Sequence, residues 1–407
     1  MTYDKHDAPA FSGQERQLVR DKVVLAKQAL LKNIRKFEQF PEPLLIAGEA
    51  YEGIWLEHNQ DNLFLADYHP EAAWASQQVF MEHQRADGLL PFMLPLRTKG
   101  GFFDTPVPCW HVQSVYPFAR CALELASRLG KGEETFARIY HAAARYDEWL
   151  MKHRNRKGTG LVEMYCEWDT GHDNSPRVTD GGIPHGCPGH DAKAMPALPL
   201  MPILSVDLSA MLYGGRLALA ELACRLGKSA EESRWKEKAA GLRARIRKHL
   251  YDAGDDYYYD RDTTGFRKYR SEHVTRLFLN RVVEQEEFDR LYTRYFTRET
   301  GFWTAYPFPS MSVSDPHFVK SRTKNCWGGN TQALTALRAF LWMEAYGRKK
   351  ELHELMRRWL KAFIRHDNRF TQEIDPFTGA PIGAGTNYSP SLLVFIRSAE
   401  TPGIMDY

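Results

Sequence analysis

The stretch Leu217 to Glu232 reads L-A-L-A-E-L-A-C-R-L-G-K-S-A-E-E, and its reading decides the fold. Leu208, Leu212, Leu219, Leu222 and Leu226 recur at helical spacing up to Gly227. Ser229-x-x-Glu232 then reads as a capping box opening a second helix that runs to Leu250. Glycine suits the left-handed position that closes a helix, and a cation just after it suits the negative end of the helix dipole. The same device, helix then Gly then Lys or Arg then helix, recurs at Gly130-Lys131 and Gly347-Arg348. These are αα-hairpins.

Working outward, the pattern stays helical. Residues 14–38 predict a long first helix, 71–86 a helix ended by Asp87-Gly88, and Trp110 to Gly130 another. Phe136, Ile139, Tyr140, Ala143 and Leu150 mark a helix over 134–153. Leu352, Leu355, Met356, Trp359, Leu360 and Phe363 form an apolar stripe on another. Shorter helices are expected near 57–67, 273–280 and 388–399. Strand signals are local, chiefly Tyr257-Tyr258-Tyr259 before the turn at 262–265. A dozen helices in six hairpins, with long loops at alternate connections, predict an all-α (α/α)6 barrel. No low-complexity linker divides residues 1–407, so one catalytic domain is expected.

The 407 residues are 43% hydrophobic, which supports a sizeable core. A formal charge of +3 with nearly balanced acids and bases argues against nucleic acid as a partner. No apolar run approaches the roughly 18–20 residues of a membrane span, and Met1 to Gly13 is polar, without a signal-peptide core. Six scattered cysteines suit reduced thiols, so a cytoplasmic protein is expected, not bound to membrane. Oligomeric state stays open.

The loops carry the chemistry. The longest covers 166–205, and structureless loops beyond about 12–15 residues in a compact domain are usually functional or disordered. Its first part, Glu167 to Arg177, reads E-W-D-T-G-H-D-N-S-P-R. It has too few apolar residues for core and too much functionality for a linker. Residues 178–204 read as a lid or wall over a pocket. Taken alone, Asp173-Asn174-Ser175-Pro176 also fits an Asx-type turn, Glu373 also fits an ordinary loop acid, and the tryptophans also fit core.

At Trp168, Gly171, Asp173, Asn174, Pro176 and Arg177 the chain resembles glycoside hydrolase family 63 and its clan, whose acid loop reads roughly W-x-x-G-x-D-(D/N)-x-P-R. The clan includes mannosylglycerate and glucosylglycerate hydrolases and processing α-glucosidase. Val206-Asp207-Leu208, Pro309-Ser310 with Asp315-Pro316, and Glu373-Ile374-Asp375-Pro376 resemble further family segments in the same order. Tyr51 and Trp55 fall on a Y-x-x-x-W spacing found at the family's sugar-binding rim. The resemblance runs from about 45 to 399. It implies an inverting exo-acting α-glycoside hydrolase with Asp173 as general acid and Glu373 as general base. Glycoside hydrolysis needs such a pair, one to protonate the leaving oxygen and one to activate water. The candidate sugar-binding set is Tyr51, Trp55, Glu57, His58, Trp110, Gln113, Trp168, Asp169, His172, Asn174, Arg177, Trp327, Gln372 and Tyr388. The expected partner is a small carbohydrate.

The chain also departs from the family. Glu57-His58 stands where a Trp-Asp pair is common, Asn325-Cys326-Trp327-Gly328-Gly329-Asn330-Thr331 replaces Y-W-R-G-P-V-W, and Asn387-Tyr388-Ser389 replaces a late aromatic segment. The reaction is therefore better specified than the sugar. The rival readings are a catalytically weak carbohydrate-binding barrel and a sugar epimerase, which would rely on histidines. No cofactor is called for: there is no phosphate loop and no G-x-S-x-G elbow. Asp260-x-Asp262-x-Thr264-Gly265 begins like a calcium loop but has Ser271 at its twelfth position, so a turn is the better reading. His185, Cys187, His190 and Asp191 match no standard zinc spacing, and no metal is expected.

Overall fold

The computed structural model describes residues 10–97, 105–321, 325–383 and 385–406. The Gly100-Gly101 part of the expected 89–109 loop, and most of the polar N-terminus, lie outside the described residues. Within the described residues twelve helices carry the architecture: α1 Gly13–Lys32, α2 Asp61–Leu65, α3 Pro70–Glu82, α4 Phe118–Arg128, α5 Glu133–His153, α6 Val206–Arg225, α7 Ser229–Leu250, α8 Thr275–Leu279, α9 Gln285–Leu291, α10 Ala333–Ala345, α11 Lys349–Arg365 and α12 Ser389–Glu400.

The even-numbered helices form a closed ring. α2 packs on α4, α4 on α6, α6 on α8, α8 on α10, α10 on α12, and α12 back on α2. The outer helices cover it, with α3 against α2 and α4, α5 against α4 and α6, α7 along α6, α11 against α10 and α12, and α1 against α12. This is the (α/α)6 barrel, and its closure follows from residue character. α12 buries Leu392, Leu393, Val394, Phe395 and Ile396 in succession, which suits a helix enclosed on all sides. α11 confines Leu352, Leu355, Met356, Trp359, Leu360 and Phe363 to the face that meets the ring.

The three Gly-cation breaks are Schellman motifs. Gly130, Gly227 and Gly347 have φ of 63°, 67° and 71°. The N–H groups of Lys131, Lys228 and Arg348 donate back to Ala126, Ala223 and Met343 at 2.9, 2.8 and 2.8 Å. The motif also removes the expected capping box. Lys228, already turned by its back-bond, is the N-cap, so Ser229 is the first helical residue and makes no side-chain cap. The box occurs instead at Ser12 and Glu15, at the start of α1. Three of the longer helices are shorter than their sequence pattern, and α3 is one, ending at Glu82 rather than 86. α1 stops at Lys32, where Asn33 turns away and donates to Asn387 O and Ser389 Oγ. α4 starts at Phe118, because Pro117 occupies the N-cap. Trp110 therefore lies in non-helical chain ahead of that cap, not at a helix start.

Short antiparallel pairings stitch the connections: Gly53–Trp55 with Met93–Pro95, Glu163–Met164 with Ile203–Leu204, and Glu373–Ile374 between Thr331–Gln332 and Pro381–Ile382. These strands lie in connections that lead into inner helices, so they gather at the N-terminal ends of the inner ring. Among the described residues no helix is long and apolar enough to cross a membrane.

A methyl at Gly130 would meet no atom within 4 Å, so only the left-handed backbone resists substitution. Gly130→Ala should cost about 1–2 kcal/mol in urea unfolding and leave the fold intact.

Candidate active site

At that end the long loop from Glu167 onward is held from below. The Asp169 carboxylate accepts N–H bonds from Val112, Tyr165 and Cys166 at 2.9, 2.7 and 3.2 Å. Arg154 donates to both of its oxygens, at 2.5 and 3.0 Å. Both side chains are fully buried, and the cation beside Asp169 holds its carboxyl below the usual range despite burial. Arg177, on the single helical turn Pro176–Thr179, donates to Asp260 at 2.7 Å, to Asp207 at the start of α6 at 2.9 Å, and to His172 Nδ1 at 2.7 Å. Nδ1 is thus an acceptor, which leaves the imidazole N–H on Nε2, 2.9 Å from both Glu272 Oε1 and Arg276 Nη2. The His172 ring stacks on Trp327, centroids 4.9 Å apart.

Above this base lies a cavity of about 170 Å³. It is smaller than the roughly 300–1,000 Å³ of drug-sized sites, which suits one small sugar unit. Tyr51, Trp55, Phe92, Trp168, Trp327 and Tyr388 wall it, and Glu57, His58, His111, Gln113, Asp173, Asn325 and Gln372 supply its polar atoms. Glu57 accepts from Gln113 at 2.9 Å and from Arg338 at 3.2 Å. Its carboxylate presses on the acid loop: a Cβ at Gly171, whose φ is 71°, would lie 2.2 Å from Glu57 Oε2. His58 bridges Asp61 and the Tyr388 hydroxyl, each at 3.1 Å. His111 is driven down to about 4 by burial and is neutral.

Asp173 lines the cavity beside Gly171. Its Oδ2 accepts from Asn325 Nδ2 at 2.6 Å, and its Oδ1 is buried with no hydrogen-bond partner among the described residues. Burial first, then the Glu57 carboxylate, pushes its pKa up to about 8, with Glu167 and Glu373 adding to the rise. Glu373 sits in the central strand of the three-stranded ribbon and is 1% exposed. Its carboxylate accepts from the backbone N–H of Asn325, from Cys326 N–H at 3.1 Å and from Gln332 Nε2 at 2.7 Å. Burial raises its pKa, while those donors hold it back.

Most of the expected site residues therefore face the cavity: Tyr51, Trp55, Glu57, His58, Gln113, Trp168, Asp173, Trp327, Gln372 and Tyr388. The others are placed elsewhere. Asp169, His172 and Arg177 are fully buried in the ion pairs beneath the loop and do not line the cavity. Asn174 is exposed, and its Nδ2 donates to Asn325 O at 2.8 Å. Trp110 stacks on His190, centroids 4.0 Å apart, behind Phe92. Glu373 stands behind Asn325. Residues 178–204 contribute no lining group. They buttress the wall from outside, where His185 stacks on Trp168 and shares a hydrogen bond with Glu167. Phe92, His111 and Asn325 are additions. Only the third carried a signal, as part of the segment that departs from the family.

The residues of the calcium-like and zinc-like segments are otherwise engaged. Asp260 pairs with Arg177, and Asp262 caps its own turn through Thr264 N–H at 2.7 Å. Cys166, Asp169 and Cys187 bring ligand atoms within 4.8 Å of one another. Arg154 donates to both Asp169 and Cys187, so a cation already occupies that charge environment.

Residues 63–391 match the family model described as mannosylglycerate hydrolase MGH1-like glycoside hydrolase domain. No curated protein matches. Among solved structures, an uncharacterized conserved protein from Thermus thermophilus superposes with a TM-score of 0.69 at 20% identity, covering 93% of this chain and 99% of its own. The GH63 mannosylglycerate hydrolase from the same organism, in complex with glucose, gives 0.69 at 19% identity with the same coverage. Neutral trehalase Nth1 from Saccharomyces cerevisiae gives 0.65 at 13% identity, over 89% of this chain and 74% of that one. These likenesses establish the shared barrel.

Breaking a buried ion pair from one side leaves an uncompensated charge. Arg154→Met should destabilise the protein by about 3–5 kcal/mol in denaturant unfolding, more than the Gly130 substitution.

Proposed function

The chain belongs to the family of MGH1-like glycoside hydrolase domains, and from that premise we propose that it is an inverting exo-glycosidase acting on a small α-glycoside, with Asp173 as general acid and Glu373 as general base. The observation that carries this reading is Asp173 in the wall of a cavity of about 170 Å³, with a buried Oδ1 that no hydrogen bond occupies among the described residues. A carboxyl pushed up to about 8 keeps its proton at neutral pH, as an acid catalyst must. Glu373, ringed by donors that favour its charged form, suits the opposite role.

In the proposed reaction Asp173 gives its Oδ1 proton to the glycosidic oxygen as the C–O bond breaks. Glu373 takes a proton from a water that attacks the anomeric carbon from the opposite face. An inverting pair stands roughly 6.5–9.5 Å apart to leave room for that water, and a retaining pair only about 5–5.5 Å. Here the carboxylates share no hydrogen bond and are bridged by a whole asparagine, which favours the wider spacing. Trp55, Trp168 and Trp327 offer faces to the C–H surfaces of the ring, and Glu57 and Tyr388 offer acceptors to its hydroxyls. Glucose and D-glycerate, bound by the Thermus mannosylglycerate hydrolase, define the first ligands to try.

A screen of α-linked glycosides with NMR detection of the released anomer tests the reaction. Hydrolysis with inversion supports it. Isomerisation without hydrolysis would favour the epimerase reading, and binding without turnover the weak-binding one. Asp173→Asn and Glu373→Gln should each lower kcat by about 10²–10⁴-fold. Full activity in both would sink the assignment.

The pH profile has a definite sign. Activity needs Asp173 protonated, so kcat/KM should fall as pH rises through about 8. It should also fall in acid as Glu373 gains its proton, above the usual glutamate range because its pKa is raised. Because the Asp173 carboxyl titrates at about 4 when unfolded and at about 8 when folded, its ionisation costs stability progressively from about pH 4 to about pH 8, and the full cost is present above that. Asp173→Asn should therefore show a higher Tm than the parent above pH 8, the reverse of its effect on activity.

A further inference from the structure

Asn325 touches both carboxylates. Its side-chain amide donates to Asp173 Oδ2 at 2.6 Å, and its backbone N–H donates to Glu373 Oε1. Its Oδ1 accepts from Gln372 Nε2 at 2.9 Å, and Gln372 Oε1 in turn accepts from the Tyr51 hydroxyl at 2.7 Å. This relay orients both amides. The Tyr51 hydroxyl donates to the Gln372 oxygen, the Gln372 NH2 donates to Asn325 Oδ1, and the Asn325 NH2 donates to Asp173. The backbone at Asn325 is left-handed, φ 52°, a conformation that Asn tolerates better than most residues. That turn converges two successive N–H groups, of Asn325 and Cys326, on the Glu373 carboxylate. Trp327 N–H to Asp173 O at 3.0 Å locks the same segment to the acid loop.

We propose that Asn325 is a positioning residue that ties the acid to the base and fixes which oxygen of Asp173 carries the proton. The proposal rests on the roles assigned above to Asp173 and Glu373. A carboxylic acid has one O–H. With the Asn325 amide clamped on Oδ2, that oxygen is an acceptor, and the proton resides on Oδ1, the oxygen without a protein partner among the described residues. When the Oδ1–H bond breaks and the proton moves to the leaving oxygen, the new carboxylate keeps the Asn325 donor. A hydrogen bond to a charged acceptor is stronger than one to a neutral acid, so the contact favours proton transfer.

The groups around Asp173 make this contact distinctive. Glu57 from the turn Leu56–His58, Glu167 from the same loop and Glu373 from the ribbon all oppose its ionisation. Tyr51 shares the field of the same carboxylates, Arg338 partly offsets Glu57, and His185 lies on Glu167. Against these, the Asn325 amide favours the charged form.

The test uses the full chain and the glycoside found in the screen. Asn325→Ala should lower kcat about 100-fold, the scale of a misplaced catalytic group, with KM nearly unchanged. The alkaline limb of kcat/KM should move to higher pH, because a donor to the carboxylate is lost. A merely structural role would lower kcat and leave the limb where it is, and that result would overturn the proposal. Gln372→Glu gives an isosteric check if the alanine variant folds poorly. A carboxylate there can only accept, so the Asn325 amide must flip and present oxygen to Asp173. The proton is then held on Oδ2, and kcat should fall while Asn325 itself is unchanged. If Asp173→Asn abolishes turnover but both these variants keep the parent kcat and pH limb, the Asn325 proposal alone fails. If Asp173→Asn is active, the reading it rests on fails instead.

Discussion

The Arg177 guanidinium, buried under the acid loop, is the contact on which this end of the barrel depends. It joins Asp207 at the start of an inner helix, Asp260 in the following connection and His172 in its own loop. His172 passes the network on to Glu272 and Arg276. A buried charge is costly unless it is paired and hydrogen-bonded, so each of these residues restricts where the others can go. Arg154 and Asp169 do the same at the upstream end of the loop. The loop has few apolar side chains with which to build a core. Ion pairs take that place, and they serve geometry better than they serve stability.

That geometry sets the electrostatics above it. Because the loop is pinned on both sides of Gly171, the Glu57 carboxylate can press against its backbone, and Asp173 finds itself among acids with one carboxyl oxygen unpartnered. Glu373 meets the opposite treatment on its strand, surrounded by N–H donors. Burial raises the pKa of both carboxyl groups, but the acids around Asp173 add to its rise while the donors around Glu373 hold its rise back, a contrast that suits the acid and base roles proposed for them. In the proposed mechanism Asn325 stands between them because its side chain reaches one and its backbone the other.

Much of the barrel was legible in the chain. Gly130, Gly227 and Gly347 with their following cations became three Schellman turns, since a left-handed helix end is a local requirement that glycine meets without strain. Two of the boundaries that failed did so where a neighbour intervened: Pro117 capped α4 late, and Asn33 left α1 to bond with Asn387. At the site, Tyr51, Trp55, Trp168, Gln372 and Tyr388, all expected to bind sugar, lie in the cavity walls. Asp169, His172 and Arg177 share the acid loop's composition but turned out to be its foundations, because nothing in a run of polar residues says which side of the loop faces down.

The sequence by itself determined the helical hairpins, the family and the residue types of the pocket, because periodicity, turn chemistry and motif order are local properties. Only the tertiary structure decided the closure of the ring from α12 to α2, the burial of Arg154 and Arg177, the support of Trp168 by the 178–204 segment and the bridging place of Asn325. Those depend on partners far away along the chain. Burial and neighbouring charge, which lower the pKa of Asp169 and raise that of Asp173, exist only once those partners have met.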